Sequence, residues 1–222
     1  MKISPDTMGM LEATAGLPEQ VARAAESAQE VTGLPEHDDI ENVVVLGMGG
    51  SGVAGDVMAA VASPFMAVPV VVSKSYGVPA FVGEGTLVFA VSFSGNTEET
   101  LEAVSEAHED GARIIAVTSG GELSKLANEW SIPLLEVPAE IPQPRAAIGA
   151  VSIPPLVVLE KIGLFPGASR WVDLAVDQLV SRRSELMGES SIALKISEKI
   201  GRTIPLIYGA DALGATAAVR WK

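Results

Sequence analysis

The chain has 222 residues, 48% of them apolar and 19% charged, which is enough for one large domain or two small ones around a substantial core. With 28 acidic against 15 basic residues the formal net charge is −13, which argues against nonspecific binding to nucleic acid or to an anionic membrane surface. There is no cysteine, so thiol catalysis, disulfides and thiolate metal sites are excluded.

Residues 1–6 lack an apolar signal core, and the long uncharged stretch from Val57 to Ser73 is interrupted by Pro64 and Pro69. A soluble cytoplasmic protein is therefore expected. Residues 7–32 form an amphipathic leader, read as two helices separated near Gly16 and Pro18.

Val43-Val44-Val45-Leu46 is the first strand candidate. It runs into Gly47-Met48-Gly49-Gly50-Ser51-Gly52, followed by small residues through Ala60. Strand, glycine turn and Ala-rich helix is the pattern of a phosphate-facing βα turn, with Ser51 expected to cap the helix. Gly47, Gly49 and Gly52 also satisfy Gly-x-Gly-x-x-Gly, the fingerprint of a dinucleotide site. That reading wants an acid at the end of the next strand. Val68–Val72 ends instead in Ser73 and Lys74, and Lys74 serves at most a 2′-phosphate.

Leu87–Val91 is a short β-rich run between Gly85 and Gly95, and Leu101, Val104, Ser105 and His108 then recur at helical spacing. Between them Ser92-Phe93-Ser94-Gly95-Asn96-Thr97 packs three hydroxyls, an amide and a glycine into six residues. A single cap needs one hydroxyl, so this turn reads as an oxyanion site at a helix N-terminus.

A strand at Arg113–Val117, a helix from about Leu123 to Asn128 and a strand at Pro133–Val137 continue the alternation. The expected fold is α/β: three αβα layers around a mainly parallel, doubly wound sheet. In such sheets ligands sit beyond the carboxyl ends of the strands, where both turns lie. Three prolines between Pro138 and Pro144 then hold Arg145 as a candidate anion clamp ahead of an apolar helix, 146–164, broken at Pro154-Pro155.

Helices are expected around Trp171–Val180 and Ile192–Ile200, then a strand at Ile204–Tyr208. Gly209 and Gly214 repeat the five-residue glycine spacing of Gly47 and Gly52, which is the mark of a weak internal repeat. The division is 1–165 for the first domain and 166–222 for a helical connection and the incomplete start of a second. No His and carboxylate cluster has metal-ligand spacing.

Taken together, Gly47–Asp56, Ser92–Thr100 and Pro144–Ala147 resemble the bifunctional phosphoglucose/phosphomannose isomerases of the sugar isomerase (SIS) superfamily. The resemblance implies two SIS domains, a homodimer with its site near the subunit interface, and a hexose 6-phosphate as ligand. It implies a metal-free aldose–ketose isomerase, without a cofactor, that passes through a cis-enediol. Gly49, Gly50, Ser51, Ser92, Ser94, Asn96 and Thr97 are the candidate substrate-binding residues, and Arg145 steadies the intermediate. Members carry a glutamate base shortly after an Arg-Trp-Lys like Arg220-Trp221-Lys222, with a histidine and a lysine further on. His37 and His108 match neither role. These 222 residues are thus expected to bind the phosphate without efficient turnover. The alternatives are a non-catalytic SIS module that senses a phosphosugar and the nicotinamide-linked oxidoreductase.

Overall fold

The computed structural model describes residues 6–188, 190–201 and 203–221. Five strands form one parallel sheet: β1 Asn42–Leu46, β2 Val70–Ser73, β3 Thr86–Val91, β4 Arg113–Thr118 and β5 Leu134–Glu136. Their spatial order is β2-β1-β3-β4-β5. The central strands are continuous apolar runs because both of their faces are covered. Val43, Val45, Leu87, Phe89, Ile115 and Val117 point to one face, and Val44, Leu46, Val88, Ala90, Ile114 and Ala116 to the other.

The first face is covered by α2 Leu17–Glu30, α3 Gly49–Val61, α6 Ile148–Ile162 and the start of α7 Ala168–Leu186. The short α1, Met10–Ala15, precedes α2. The second face is covered by α4 Glu98–Glu109 and α5 Gly121–Glu129. On α4 the inward face is Thr100, Ala103, Val104 and Ala107, while His108 is exposed and stacks on Trp130 at 4.1 Å.

The connection from β2 to β3, which lie on either side of β1, carries no helix, although crossovers between parallel strands usually contain one. Residues 74–85 cross the second face as an irregular segment, with Val82 buried and Val78 half-buried in that core. Its path is held where Glu106 on α4 accepts from the Val78 amide at 3.1 Å.

Two expectations are corrected. Helix α6 runs unbroken through Pro154 and Pro155. Prolines remove N–H donors, but 11 of the 15 residues of this helix are buried, Pro154 and Pro155 among them, and that packing keeps the axis continuous. Ile204–Tyr208 forms no strand: among the described residues no neighbouring strand is there to pair with it, and Ile204 and Tyr208 are each 88% exposed. After it, α8 (Ile192–Ile200) having come before, α9 Asp211–Trp221 packs on α3, and Thr216 donates to the Asp56 carbonyl at 3.4 Å. Lys222 lies outside the described residues.

Candidate functional site

The order β2-β1-β3-β4-β5 reverses direction between β1 and β3, so the chain leaves these neighbours toward opposite faces of the sheet. A crevice opens at such a switch point, beyond the carboxyl ends of the strands. The glycine turn enters α3 on one side and the hydroxyl turn enters α4 on the other. Gly47 has no room for a side chain, since a Cβ there would stand 2.8 Å from the Val91 carbonyl oxygen.

The two turns meet directly. The Phe93 amide donates to Ser51 Oγ at 3.0 Å. Ser51 therefore does not cap its own helix as expected; it lies inside the first turn of α3, buried, and accepts from the neighbouring turn. Neither α3 nor α4 has a side-chain cap. The first amides of each helix have no intrahelical acceptor, so each helix carries a partial positive charge at its start, beyond the carboxyl ends of the strands.

The hydroxyl turn is organised from within. Ser92 is fully buried; its Oγ accepts from the Gly95 amide at 3.1 Å and shares a proton with Thr97 Oγ1 at 2.9 Å. Ser94 is exposed, and its Oγ accepts from the Asn96 amide at 3.2 Å. Asn96 spends its side chain on structure: Oδ1 accepts from the Glu122 amide at 3.0 Å, and Nδ2 donates to the Ser94 carbonyl at 3.1 Å. It ties the turn to the start of α5. Gly95 has φ 68°, and a Cβ there would stand 1.8 Å from the Gly120 carbonyl oxygen, so the turns after β3 and β4 touch backbone to backbone. Ser119 completes that contact by donating to the Phe93 carbonyl at 2.6 Å.

The arginine loop closes a third side. Pro144–Ala146 forms a short 3-10 turn whose Pro144 backbone lies 3.5 Å from a Cβ position on Gly50. Arg145, next in the chain to that contact, is exposed. Gln20 on α2 anchors the loop from behind, donating to the Ala146 carbonyl at 2.9 Å and accepting from the Ala150 amide at 3.1 Å. Sequence reading missed Gln20 and Ser119, because both act on backbone more than 20 residues away. Lys74, which the dinucleotide reading would offer to a 2′-phosphate, is paired with Asp56 at 2.6 Å.

The far rim is acidic. Glu98 and Glu99 occupy the first turn of α4, where the helix dipole favours them. Their neighbourhood is felt by Tyr76, whose phenol is held above its ordinary value of 10.0, first by the Glu99 carboxylate and then by Glu98. His37 lies elsewhere, beside Asp38 at 2.9 Å. No group of three or more metal-ligating His or carboxylates occurs among the described residues, and no described helix is long and apolar enough to cross a membrane. A concavity of about 420 Å³ lined by Glu30, Thr32, Ser131 and Pro133 sits at the opposite, amino-terminal end of β5 and takes no part in this site.

Comparison with known proteins bears on the family and the fold. Residues 38–141, which run from before β1 to beyond β5, match the SIS domain. The chain is 36% identical over 217 residues to the bifunctional phosphoglucose/phosphomannose isomerase of Caldicellulosiruptor bescii, covering 96% of this chain and 64% of that protein. It is 37% identical over 183 residues to the protein of the same name from Thermoplasma acidophilum, covering 82% of this chain and 53% of the relative. It thus spans between about half and two thirds of the length of these relatives. In fold it is similar to the crystal structure of tagatose-6-phosphate ketose/aldose isomerase from Escherichia coli, with a TM-score of 0.59 at 17% identity over 99% of this chain and 64% of that one.

Proposed function

We propose that this chain, which belongs to the bifunctional phosphoglucose/phosphomannose isomerase family and carries its SIS domain, holds a hexose 6-phosphate at the β1/β3 switch point. The reaction served is aldose–ketose interconversion of glucose 6-phosphate, and of mannose 6-phosphate, with fructose 6-phosphate. One observation carries the reading: the Phe93–Ser51 hydrogen bond joins the two turns that lead into uncapped helix N-termini. Such termini bind a dianion through backbone amides without a basic field, which suits a chain of net charge −13.

In this reading the amides of Gly49, Gly50 and Ser51 face the phosphate from one side. The Ser94 and Thr97 hydroxyls face it from the other. Ser92 Oγ accepts from Gly95 and is hydrogen-bonded to Thr97 Oγ1; with Ser92 as the donor of that pair, the Thr97 hydrogen is left for the ligand. Asn96 acts through the loop. Arg145 stabilises the negative charge that develops on the enediol oxygens as the C2 proton leaves.

Moving that proton between C1 and C2 takes a base within reach of the sugar. His37 is paired with Asp38 and His108 stacks on Trp130, so neither faces the crevice. We assign phosphate binding and oxyanion stabilisation to these residues, and the proton transfer and ring opening to groups outside them. The proposed organisation is a homodimer, with 1–165 as the first SIS unit and 166–222 leading into a second. The Gly209 and Gly214 pair at the start of α9 supports this, since it repeats the close contact of Gly47 and Gly52 at the start of α3. The positions of the two histidines also favour a second reading, in which the chain senses a phosphosugar without chemistry.

Calorimetric titration with fructose 6-phosphate and inorganic phosphate tests the site. Binding is expected, with Ser94→Ala weaker by about 1.5–3 kcal/mol through loss of a charge-assisted hydroxyl contact. Equal affinity in the variant removes Ser94 from the site, and no binding by either protein removes the site altogether. Turnover of glucose 6-phosphate by these 222 residues alone would overturn the division of roles and the sensor reading together.

A further inference from the structure

Lys74 stands where the edge strand meets the glycine turn. The amide of Gly47 donates to the carbonyl of Ser73, the last residue of β2, at 3.3 Å. The Lys74 side chain then runs across the opening of α3, its Cε only 3.0 Å from the Cβ position of Gly52. Its Nζ ends on both carboxylate oxygens of Asp56, at 2.8 and 2.6 Å. Asp56 lies one turn beyond Gly52 on α3, with its side chain 21% exposed, against 39% for that of Lys74.

We propose that Lys74 is a positioning residue for the phosphate turn, walling Gly52 with its alkyl stem and cancelling the Asp56 charge with its ammonium. The inference rests on reading that turn as the phosphate site. Asp56 is seven residues past Gly49, which places it roughly 10 Å along the axis from the first amides of α3. That is about one Debye length at 0.1 M salt and well within one at lower salt, and the path runs along a helix shielded from water on one side. An unpaired carboxylate there opposes a bound dianion. Paired with Lys74 it does not. Independently of charge, the stem bounds the Gly52 end of the turn from one side, while the Gly47 carbonyl oxygen lies 2.6 Å from the same Gly52 Cβ position. A lysine committed in this way also has no charge to spare for a ribose phosphate, which weakens the dinucleotide reading further.

The test is a set of variants, K74M, K74R, D56N and K74M/D56N, titrated calorimetrically with inorganic phosphate and with fructose 6-phosphate. Circular dichroism and the unfolding midpoint are recorded for each. K74M is expected to bind both ligands about tenfold more weakly at low salt, with the gap narrowing as salt is raised. K74R, which keeps charge and stem, should stay within about threefold of wild type. K74M/D56N should regain most of the loss because the carboxylate left without a partner is gone. D56N alone should bind at least as tightly as wild type. A purely structural ion pair gives the opposite pattern, with D56N and K74M equally impaired and the double variant no better.

Wild-type affinity in K74M, or a double variant as weak as K74M, overturns the role assigned to Lys74 while leaving the phosphate site intact. Should K74M fail to fold, the comparison of D56N with K74R decides by the same criteria. A wild-type protein that binds neither ligand overturns the site and this inference together.

Discussion

Ser51 and Phe93 are 42 residues apart, yet the hydroxyl of one accepts from the amide of the other at 3.0 Å. The pairing of Leu46 with Ala90 brings the two strand ends into register, and this bond continues the match past the sheet. Ser51→Ala leaves the Phe93 amide without its acceptor. The expected cost is about 1–3 kcal/mol of stability, read from urea unfolding, together with weaker phosphate binding. An unchanged midpoint would mean that the two turns are held in place by the strands alone.

The two serines of the hydroxyl turn should part company. Ser92 is fully buried and holds both Gly95 and Thr97, whereas Ser94 is exposed and accepts only from the Asn96 amide beside it. Ser92→Ala is expected to cost about 1–3 kcal/mol in unfolding free energy, and Ser94→Ala within about 0.5 kcal/mol. The affinity ranking runs the other way if Ser94 touches the ligand. Equal stability losses would show that exposure is a poor guide to which hydroxyl carries the turn.

Gly95 is where no side chain fits. Its φ of 68° is the left-handed region, and an added Cβ would stand 1.8 Å from the Gly120 carbonyl oxygen and 2.8 Å from Thr118 Oγ1. Both neighbours are fixed, one as backbone and the other by its bonds to Gly120. Gly95→Ala should destabilise by about 3 kcal/mol or more and separate the turns after β3 and β4. A loss below about 1 kcal/mol, the ordinary cost of a strained φ alone, would mean that the second turn moves aside freely.

What the sequence made legible follows from range. The central strands read directly from Val43–Leu46, Leu87–Val91 and Arg113–Val117, because burial on both faces removes polar residues from the whole run. Both turns could be placed at carboxyl ends because strand and helix periodicity flank them. The crossing of residues 74–85 was not legible: Val78 and Val82 have no periodic neighbours, and only the finished sheet shows that they cover its second face. Asn96 looked like a ligand group because it sits among hydroxyls, but its acceptor role belongs to Glu122, on a helix the turn itself does not enter. Pro154 and Pro155 illustrate the same limit, since local propensity was outweighed by burial.

A pH-dependent tether joins α2 to α7. Arg183 donates to both oxygens of Glu19 at 2.8 Å and to the Ala15 carbonyl at 2.9 Å. The Arg183 hydrogen bond holds the Glu19 carboxyl below its ordinary value of 4.5. A folded-state value lower than the unfolded one means that the contribution is fully present well above pH 4.5 and is lost as pH falls through the depressed value. Carboxyl chemical shifts followed by NMR should therefore show Glu19 titrating late on acidification in wild type, and returning toward 4.5 in Arg183→Met. Identical titration in both proteins would remove Arg183 as the cause.

The segment Ile204–Tyr208 has strand composition without strand pairing. Ile204, Leu206 and Tyr208 are 88%, 75% and 88% exposed, and no backbone hydrogen bond involves residues 204–208 among the described residues. Strand propensity reflects packing on a pleated, half-buried surface more than an intrinsic backbone preference, so without a neighbouring strand it has nothing to act on. Amide exchange should accordingly be close to the unprotected rate across 204–208 and slow across Leu87–Val91, where every residue is buried and the ladder is complete on both sides. Protection at Ile204 and Leu206 that approaches that of β3 would mean that a strand does pair there in solution, through a second copy of the chain. Diluting the protein separates the two cases, since pairing between copies weakens with concentration and an unpaired segment does not change.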